Sequence, residues 1–290
     1  MPRAQVRDGI EIEYDVRGEG DPILFVMGLG GQLVDWVDEF VDLFVEAGHQ
    51  VIRFDNRDSG LSTMTDHRPP GMLKMLWSGL RRKPVTWSGY TLDDMADDAA
   101  GLLDELGVGS AHVVGASMGG MIAQTMALRH PTRIRSLCSI MSNTGDRKNG
   151  MFSPSLIRRL AFRRPPNRAR AVEYVVDVME VISGPHFDRE AYRVRAKADI
   201  DRSFAPKGVM RQSAAIAASV DRTEALGRVS APTLVIHGLV DPLVRPSGGT
   251  ATARAIPGSR LLMFPDMGHD LPAPRADEIR DAILANISRG

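Results

Sequence analysis

Hydrophobic positions along the chain follow two alternating patterns, which are short apolar runs and longer stretches with helical spacing. Residues 22–27 form a continuous apolar run, as is typical of a strand buried on both faces of a sheet. In residues 36–47 the apolar positions recur at helical spacing, so we predict a helix that Gly48 ends. This alternation indicates βαβ units and a mostly parallel central sheet with helices on both faces.

The same signals predict further elements. The Asp8-Gly9 pair indicates a hairpin turn between the first two strands. Besides the run at 22–27, we predict strands over residues 3–7, 10–16, 50–54, 111–114, 133–140, 233–237 and 260–264. Besides the helix at 36–47, we predict helices over residues 93–106, 118–129 and 276–287.

Two insertions interrupt the alternation of strands and helices. Residues 142–225 have helical patterning and contain no convincing strand, so we expect a helical cap inserted in the C-terminal half of the chain. The core would then comprise residues 1–141 and 226–290. A smaller insertion over residues 63–90 carries Pro69-Pro70 and a cluster of large apolar residues, and we expect it to pack near the cap; the cluster contains Met72, Leu73, Met75, Leu76 and Trp77.

Composition narrows the class of protein. The chain has 290 residues, of which 43% are hydrophobic, and its 36 Lys and Arg residues balance its 36 Asp and Glu residues. A net charge of zero argues against general nucleic-acid binding. Cys138 is the single cysteine, so no internal disulfide is expected. Without an apolar leader or a run of about 20 apolar residues, the sequence favours a cytoplasmic protein.

Ser117 is the candidate nucleophile. It lies in Gly115-Ala116-Ser117-Met118-Gly119, which has the pattern G-x-S-x-G between a predicted strand and a predicted helix. A nucleophile elbow needs this strand–turn–helix setting, and its strained turn needs small residues on either side of the serine. The simpler alternative is a glycine-rich connection that carries a solvated serine.

His269 is the candidate general base, because a serine hydroxyl is a weak nucleophile until a base accepts its proton. His269 follows the last predicted strand, at the sheet edge that the elbow also faces. A solvated loop histidine is the alternative. The other histidines lie in predicted strands, at helix ends or in the insertions, and we expect structural roles for them: His112, His237, His49, His130, His67 and His186.

Asp241 is the candidate acid that orients this histidine. It follows the strand predicted at 233–237, and Pro242 stiffens its turn. The order Ser117, Asp241, His269 is the order in which α/β-hydrolases carry their triad. Asp266 is the alternative acid because it lies three residues before the histidine.

Two backbone N–H groups are candidates for an oxyanion hole. Met118 directly follows the nucleophile, and Leu29 lies in the glycine-rich turn after the strand at 22–27. Gly28-Leu29-Gly30 also resembles part of a dinucleotide-binding fingerprint, but Leu33 occupies the position of the third glycine. The sequence contains no Walker A motif, no H-E-x-x-H and no Cys/His cluster, so it implies no cofactor and no metal.

With these residues placed, the whole chain resembles serine esterases and lipases of the α/β-hydrolase fold, in particular aclacinomycin methylesterase-like bacterial enzymes. The resemblance rests on residues 54–62, 111–120 and 238–242 and on Gly268-His269. It implies cofactor-free hydrolysis of a small-molecule carboxylic ester beneath a helical cap. Two positions depart from the usual pattern, since Met27 stands where His is common and Asp58 where Gly is common.

Other activities use the same three residue types. Lactonases, thioesterases, C–C hydrolases and cofactor-free perhydrolases are alternatives, and a hydrolase-fold protein that only binds its ligand is a further one. A nucleotide-binding oxidoreductase is disfavoured by Leu33. Ser117 argues against haloalkane dehalogenases and epoxide hydrolases of this fold, which carry a carboxylate at the elbow.

The predicted cap contains a basic segment. Residues 147–170 include eight Lys and Arg residues and no Asp or Glu, interleaved with Leu156, Ile157, Leu160 and Phe162. Arg81-Arg82-Lys83 adds a second basic cluster after the apolar residues of the smaller insertion. We expect either peripheral contact with an anionic membrane surface or attraction of an anionic substrate. The simpler alternative is a cap whose arginines are solvated and whose apolar face covers the site.

Overall fold

The structure is a computed structural model, which describes residues 2–71, 74–75, 81, 83–87, 89–153, 156 and 167–290. Much of the basic segment and much of the smaller insertion therefore lie outside the described residues. Several residues named in the predictions above are not among the described residues, namely Met72, Leu73, Leu76, Trp77, Arg82, Ile157, Leu160 and Phe162. The proposed membrane contact stays a prediction. Within the described part of the chain, no helix has both the length and the apolar character needed to cross a bilayer.

An eight-stranded sheet forms the centre of the described structure, in the order β1-β2-β4-β3-β5-β6-β7-β8. The first two strands, β1 and β2, pair antiparallel in the predicted hairpin, and β2 also pairs antiparallel with β4. The strands β3 to β8 run parallel to one another. The strands are β1 Arg3–Arg7, β2 Ile10–Arg17, β3 Asp21–Val26, β4 His49–Phe54, β5 Ala111–Ala116, β6 Ile134–Ile140, β7 Thr233–Gly238 and β8 Arg260–Phe264. The predicted mostly parallel sheet is confirmed.

Helices cover both faces of this sheet. On β3, Ile23 and Phe25 pack into one apolar cluster while Leu24 and Val26 pack into the other, so successive side chains bury against opposite layers. The helices are α1 Asp38–Val45, α2 Leu92–Glu105, α3 Met118–Arg129, α4 Ala171–Ile182, α5 Arg189–Arg202, α6 Pro206–Ala218, α7 Thr223–Leu226, α8 Ser247–Ala255 and α9 Ala276–Ile287.

Two predicted helix starts differ from the structure. Trp36 lies outside α1, because residues Leu33–Asp35 form a 3-10 turn and Val37 has a non-helical ψ of 144°. The apolar spacing is real, since Trp36 packs on Phe40 with ring centroids 6.0 Å apart, but it reports burial rather than one continuous helix. Helix α2 begins at Leu92, one residue before the predicted start, because Thr91 caps it and pairs with Asp94 in a capping box.

Helices α4 to α7 follow one another between β6 and β7, in the part of the sequence where we predicted the cap. We call the described part of this region, residues 167–226, the cap helices. Val85 of the smaller insertion donates its N–H to the Ala217 carbonyl of α6, at 3.0 Å. The insertion therefore contacts the cap helices, while the exact domain boundaries stay a prediction.

Candidate active site

Ser117 occupies a strained turn between β5 and α3. Its φ of 55° is in the left-handed region that non-glycine residues rarely adopt. A Cβ on Gly115 would lie 2.2 Å from the Gly119 carbonyl oxygen, and a Cβ on Gly119 would lie 2.0 Å from the Val26 carbonyl oxygen. The two glycines of the motif are thus sterically required, and the turn lifts the half-buried Ser117 side chain above the sheet edge.

The predicted base and acid converge on this serine. His269 Nε2 lies 2.8 Å from Ser117 Oγ, and His269 Nδ1 lies 2.7 Å from Asp241 Oδ2. These residues are far apart in sequence, but they follow the carboxyl ends of β5, β7 and β8, which meet at one edge of the parallel sheet. The three predicted side chains therefore form a continuous chain of hydrogen bonds.

Asp241 is anchored so that it fixes the tautomer of the histidine. Its Oδ1 accepts the backbone N–H groups of Leu243 and Val244, at 2.8 and 2.9 Å, which leaves Oδ2 for His269. A carboxylate only accepts hydrogen bonds, so the ring proton resides on Nδ1. His269 Nε2 then presents a lone pair to the Ser117 hydroxyl.

The alternative acid, Asp266, belongs to a different set of contacts. Its carboxylate pairs with Arg275 at 3.0 Å and with His186 at 2.8 Å. Hydrogen bonds from these two partners lower the pKa of Asp266 to about 2. Proximity in sequence to His269 was therefore a misleading signal for the partner of the imidazole. The Asp266 carboxylate contacts Arg275 and His186, whereas Asp241 contacts the imidazole.

The turn after β3 lies directly beside the serine. A Cβ on Gly28 would be 3.1 Å from both Ser117 Cβ and the Ala116 carbonyl oxygen, so the turn approaches the serine closely. In this turn Gly30 N–H donates to Gln212 and Gly31 N–H donates to the Gly28 carbonyl. Within the described residues, the N–H of Leu29 has no hydrogen-bond acceptor.

Met118 N–H is the second predicted donor. As the first residue of α3 it has no intrahelical acceptor, and no other acceptor for it occurs in the described part of the chain. The two predicted oxyanion donors, Leu29 and Met118, therefore lie on the two backbone segments that meet at the serine. Within the residues that the structure describes, both N–H groups lack an acceptor, as the donors of an oxyanion hole do before substrate binds.

Sequence reasoning missed several residues that support the site. Asn56 donates its amide N–H to the Met27 carbonyl at 2.9 Å, and Ser142 donates its hydroxyl to the Ser117 carbonyl at 2.8 Å. Both bonds hold the backbone beside Ser117. Asn56 lies in the segment 54–62 that carried the family resemblance, which was the one sequence signal available for it.

His237 is closer to the site than its predicted role as a core residue implied. Its Nε2 donates to the Val244 carbonyl at 2.7 Å and lies 3.6 Å from Asp241 Oδ2. Burial lowers the pKa of His237, so the ring is neutral at neutral pH. Its spacing of four residues from Asp241 was the available signal.

The end of α4 holds the loop that carries the histidine. His269 N–H donates to the Ile182 carbonyl at 2.8 Å, and Asp270 Oδ1 accepts the N–H of Gly184 at 3.0 Å. A Cβ on Gly268 would lie 2.4 Å from the Ser183 carbonyl carbon, which shows how closely the two backbones approach. The imidazole is thus positioned by a cap helix as well as by the sheet.

Comparison with known proteins assigns this arrangement to a family. The sequence profile of the alpha/beta hydrolase fold matches residues 21–273. The chain belongs to this family. The predicted fold and the predicted family resemblance are therefore confirmed.

Curated relatives of this hydrolase-fold chain match it over nearly its whole length. Rhodomycin D methylesterase of Streptomyces peucetius is 28% identical, in an alignment that covers 99% of this chain and 98% of the methylesterase. A bifunctional esterase/perhydrolase of Acinetobacter calcoaceticus is 26% identical, with 99% of each chain covered. These relatives support a hydrolase activity.

A solved structure shares the fold. The enol-lactonase from Burkholderia xenovorans LB400 superposes with a TM-score of 0.74 at 23% identity, covering 99% of this chain and 100% of that chain. At this level of identity the likeness concerns the fold alone. It extends over the cap helices as well as the sheet.

Proposed function

We propose that this chain is a serine hydrolase that cleaves carboxylic esters through an acyl-enzyme intermediate. The observation that carries the proposal is the chain of hydrogen bonds from Ser117 through His269 to Asp241, with distances of 2.8 and 2.7 Å. A serine, a tautomer-fixed imidazole and a buried carboxylate in this geometry are the groups that activate a hydroxyl for acyl transfer.

In the first half-reaction, Ser117 Oγ attacks the acyl carbon while His269 Nε2 accepts the hydroxyl proton. The carbonyl oxygen becomes an oxyanion that accepts hydrogen bonds from the N–H groups of Leu29 and Met118. The bond to the leaving alcohol then breaks, and His269 returns the proton to that alcohol. The imidazolium that forms between these steps is stabilised by the Asp241 carboxylate.

In the second half-reaction, water replaces the alcohol. His269 accepts a proton from the water as its oxygen attacks the acyl carbon, and the same two N–H groups bind the second oxyanion. The bond from Ser117 Oγ to the acyl group breaks, and the proton passes from His269 to Ser117. The carboxylic acid leaves and the resting enzyme is restored.

Large apolar side chains beside the site support an apolar acyl or alcohol group in the substrate. Leu29, in the turn of residues 28–31 that we call the oxyanion turn, is 41% exposed. Val209 of α6 and Leu239, two residues before Asp241, are also exposed. A Cβ on Gly30 would lie 2.9 Å from Val209 Cγ2, so α6 places this apolar surface against the turn. Large exposed apolar groups at a site favour ligands that cover them.

Perhydrolysis or lactone hydrolysis on the same triad is the second candidate. Perhydrolysis is favoured by the relative named as a bifunctional esterase/perhydrolase, because ester hydrolysis and perhydrolysis proceed from one acyl-enzyme. Hydrogen peroxide in place of water gives a peracid, and a lactone supplies its own tethered alcohol. Neither alternative changes the role proposed for the three residues.

A substrate panel tests the proposal. Wild type is expected to hydrolyse p-nitrophenyl esters faster than it hydrolyses lactones or thioesters, and faster than it forms peracid when hydrogen peroxide is added. A series of p-nitrophenyl esters of increasing acyl-chain length measures the preference for apolar acyl groups. Ser117→Ala is expected to lose on the order of a thousand-fold or more in kcat. Ser288→Ala, an exposed serine whose hydroxyl bonds to Ala285, is the matched control.

A fluorophosphonate probe separates an enzyme from a protein that only binds a ligand. Wild type should be labelled at Ser117, and Ser117→Ala should not be labelled. Wild type that neither reacts with the probe nor turns over any member of the panel would contradict the proposed function.

A further inference from the structure

Gln212 of α6 joins the cap helices to the oxyanion turn. Its Oε1 accepts the Gly30 N–H at 2.8 Å, and its Nε2 donates to the Arg57 carbonyl at 2.8 Å. The side chain is completely buried. The Gln212 amide thus accepts a hydrogen bond from one core loop through its oxygen and donates one to another core loop through its nitrogen.

The bond to Gly30 constrains the neighbouring N–H of Leu29. The Leu29 carbonyl and the Gly30 N–H share one planar peptide, so fixing the direction of that N–H fixes the plane. Gly30 itself has a φ of +70°, a region that only glycine adopts readily, and a glycine turn without such a bond would have many orientations available. A fixed plane on one side of Leu29 limits how its own N–H can rotate away from the serine.

Helix α6 is held firmly enough to act as this support. Arg211, the preceding residue, makes two hydrogen bonds of 2.9 and 2.7 Å to the buried Asp58 carboxylate. A Cβ on Gly208 would lie 2.0 Å from the Asp58 carbonyl oxygen, so the helix touches the core backbone directly. Gln212 therefore extends from a fixed helix.

We propose that Gln212 is a positioning residue, which acts through Gly30 to hold the Leu29 N–H toward the oxyanion. The inference rests on the proposed function, because the oxyanion forms only during acyl transfer. It assigns a catalytic contribution to a residue of the cap helices, 95 positions after the nucleophile in the sequence. A glutamine that only stitches the cap helices to the core would affect stability and leave kcat unchanged.

The first test is Gln212→Met, which keeps the side-chain length and removes both hydrogen bonds. We expect kcat to fall roughly 10- to 100-fold, less than the loss of a whole oxyanion donor, with KM within about two-fold of wild type. Affinity for a trifluoromethyl ketone, which forms an oxyanion on the serine, should fall in parallel with kcat/KM. These are readouts that a purely structural glutamine would not move.

The matched control is Gln124→Met. Gln124 is also completely buried, and its amide contacts Ser139 and Arg222 rather than the oxyanion turn. Both variants are expected to lower the Tm, because each removes buried hydrogen bonds. Only Gln212→Met is expected to lower kcat and the affinity for the ketone.

A second variant, Gln212→Glu, covers the outcome in which Gln212→Met fails to fold. A glutamate retains an oxygen acceptor for Gly30 N–H, but its ionised form places a negative charge near the developing oxyanion. We expect the kcat of Gln212→Glu to decrease as pH rises and the introduced carboxylate ionises. Its pH–kcat profile should then have a descending limb at high pH that the wild-type profile lacks.

Two results would overturn the inference alone, namely wild-type kcat in folded Gln212→Met, or a wild-type pH profile in Gln212→Glu. Each requires that wild type turns over esters and Ser117→Ala does not. Wild type without ester turnover and without fluorophosphonate labelling would instead remove the proposed function, and the inference with it.

Discussion

At the scale of single residues, the orientation of each side chain in the site is set by the hydrogen bonds that its polar atoms make. Asp241 offers one carboxylate oxygen to two backbone N–H groups and the other to His269. This division leaves no freedom in the tautomer of the imidazole. The geometry thus makes Nε2 the basic atom, which is the atom that faces Ser117.

Replacing Asp241 with asparagine tests this division. The amide oxygen of Asp241→Asn would face the N–H groups of Leu243 and Val244, so its NH₂ group would face His269. The histidine would then accept at Nδ1 and carry its proton on Nε2, where it is unable to take the serine proton. We expect kcat for a p-nitrophenyl ester to fall on the order of 10⁴-fold, as known for this exchange in serine proteases.

Asp266→Asn is the control for that variant, since Asp266 was the alternative acid in the sequence. Its carboxylate contacts Arg275 and His186. We expect kcat to stay within a few-fold of wild type. Equal losses in the two variants would contradict the assignment of Asp241.

At the scale of elements, the loop 55–62 and helix α6 form one buried joint. Asp58 has a φ of +66° and is completely buried, with its carboxylate paired to Arg211 and hydrogen-bonded to Thr65. This pairing gives a physical reason for an aspartate where related chains commonly carry glycine. The aspartate keeps the left-handed backbone of that position and adds an ion pair to the cap helices.

Breaking the ion pair should be costly. Arg211→Met leaves the Asp58 carboxylate buried without its charged partner, and we expect a loss of about 3–5 kcal/mol in the free energy of unfolding, measured by urea denaturation. Arg193→Met is the control, because Arg193 pairs with Glu173 at the surface, where solvent screens the pair, and its loss should destabilise the protein much less than Arg211→Met.

The double variant Asp58→Gly/Arg211→Met separates charge from packing. It removes both charges and places a glycine at a φ that glycine adopts readily. We expect it to be less destabilised than Arg211→Met alone. Strictly additive losses would contradict a direct coupling between the two residues.

Elements and site residues differ in how far the sequence predicts them. Helices 118–129 and 276–287 were predicted with their observed bounds, because a glycine-rich turn and an apolar periodicity mark them locally. The helix predicted from Trp36 was wrong at its start, because the aromatic spacing reflects packing around Phe25 rather than one helix. The proximity of Ser117, Asp241 and His269 was predictable, because each follows a strand at the same sheet edge.

The support from the cap helices was not predictable in the same way. Gln212 and Gly30 are 182 positions apart, and no local pattern marks either as a partner of the other. The same holds for Arg211 with Asp58 and for Ile182 with His269. Such pairs depend on the tertiary placement of helices whose apolar faces allow several packings.

At the scale of the whole molecule, the cap helices are tied to the core on more than one side of the site. Helix α4 holds the His269 loop, α6 holds the oxyanion turn, and α5 contacts the turn before α1. In that last joint Gln32 donates to the Asp199 carbonyl, at 2.7 Å. The proposed active site is therefore assembled from the sheet edge and the cap helices together.

The joint at α5 contains a partly buried carboxyl pair that makes stability depend on pH. Burial and the neighbouring Asp35 carboxyl raise the pKa of Asp199 to about 7, and burial also raises the pKa of Asp35. Arg195 and Arg202 oppose these shifts. The folded protein thus keeps a proton that the unfolded chain releases near pH 4, so stability falls as pH rises from about 4 to about 7.

Asp199→Asn should remove that dependence. We expect its stability advantage over wild type to grow as pH rises from about 4 to about 7 and to level off above, measured by thermal unfolding across pH. Asp201→Asn is the control on the same helix, since Asp201 is exposed and pairs with Lys197. Parallel pH dependences of wild type and Asp199→Asn would contradict the carboxyl pair.

The most direct measurement of the central claim is the acyl-enzyme itself. Wild type mixed with p-nitrophenyl acetate and quenched in acid during turnover should carry one acetyl group, which peptide mass spectrometry maps to Ser117. Ser117→Ala treated in the same way should carry none and should release nitrophenolate only at the background rate. Turnover by Ser117→Ala at the wild-type rate, or an acetyl group found only on another residue of wild type, would contradict the account.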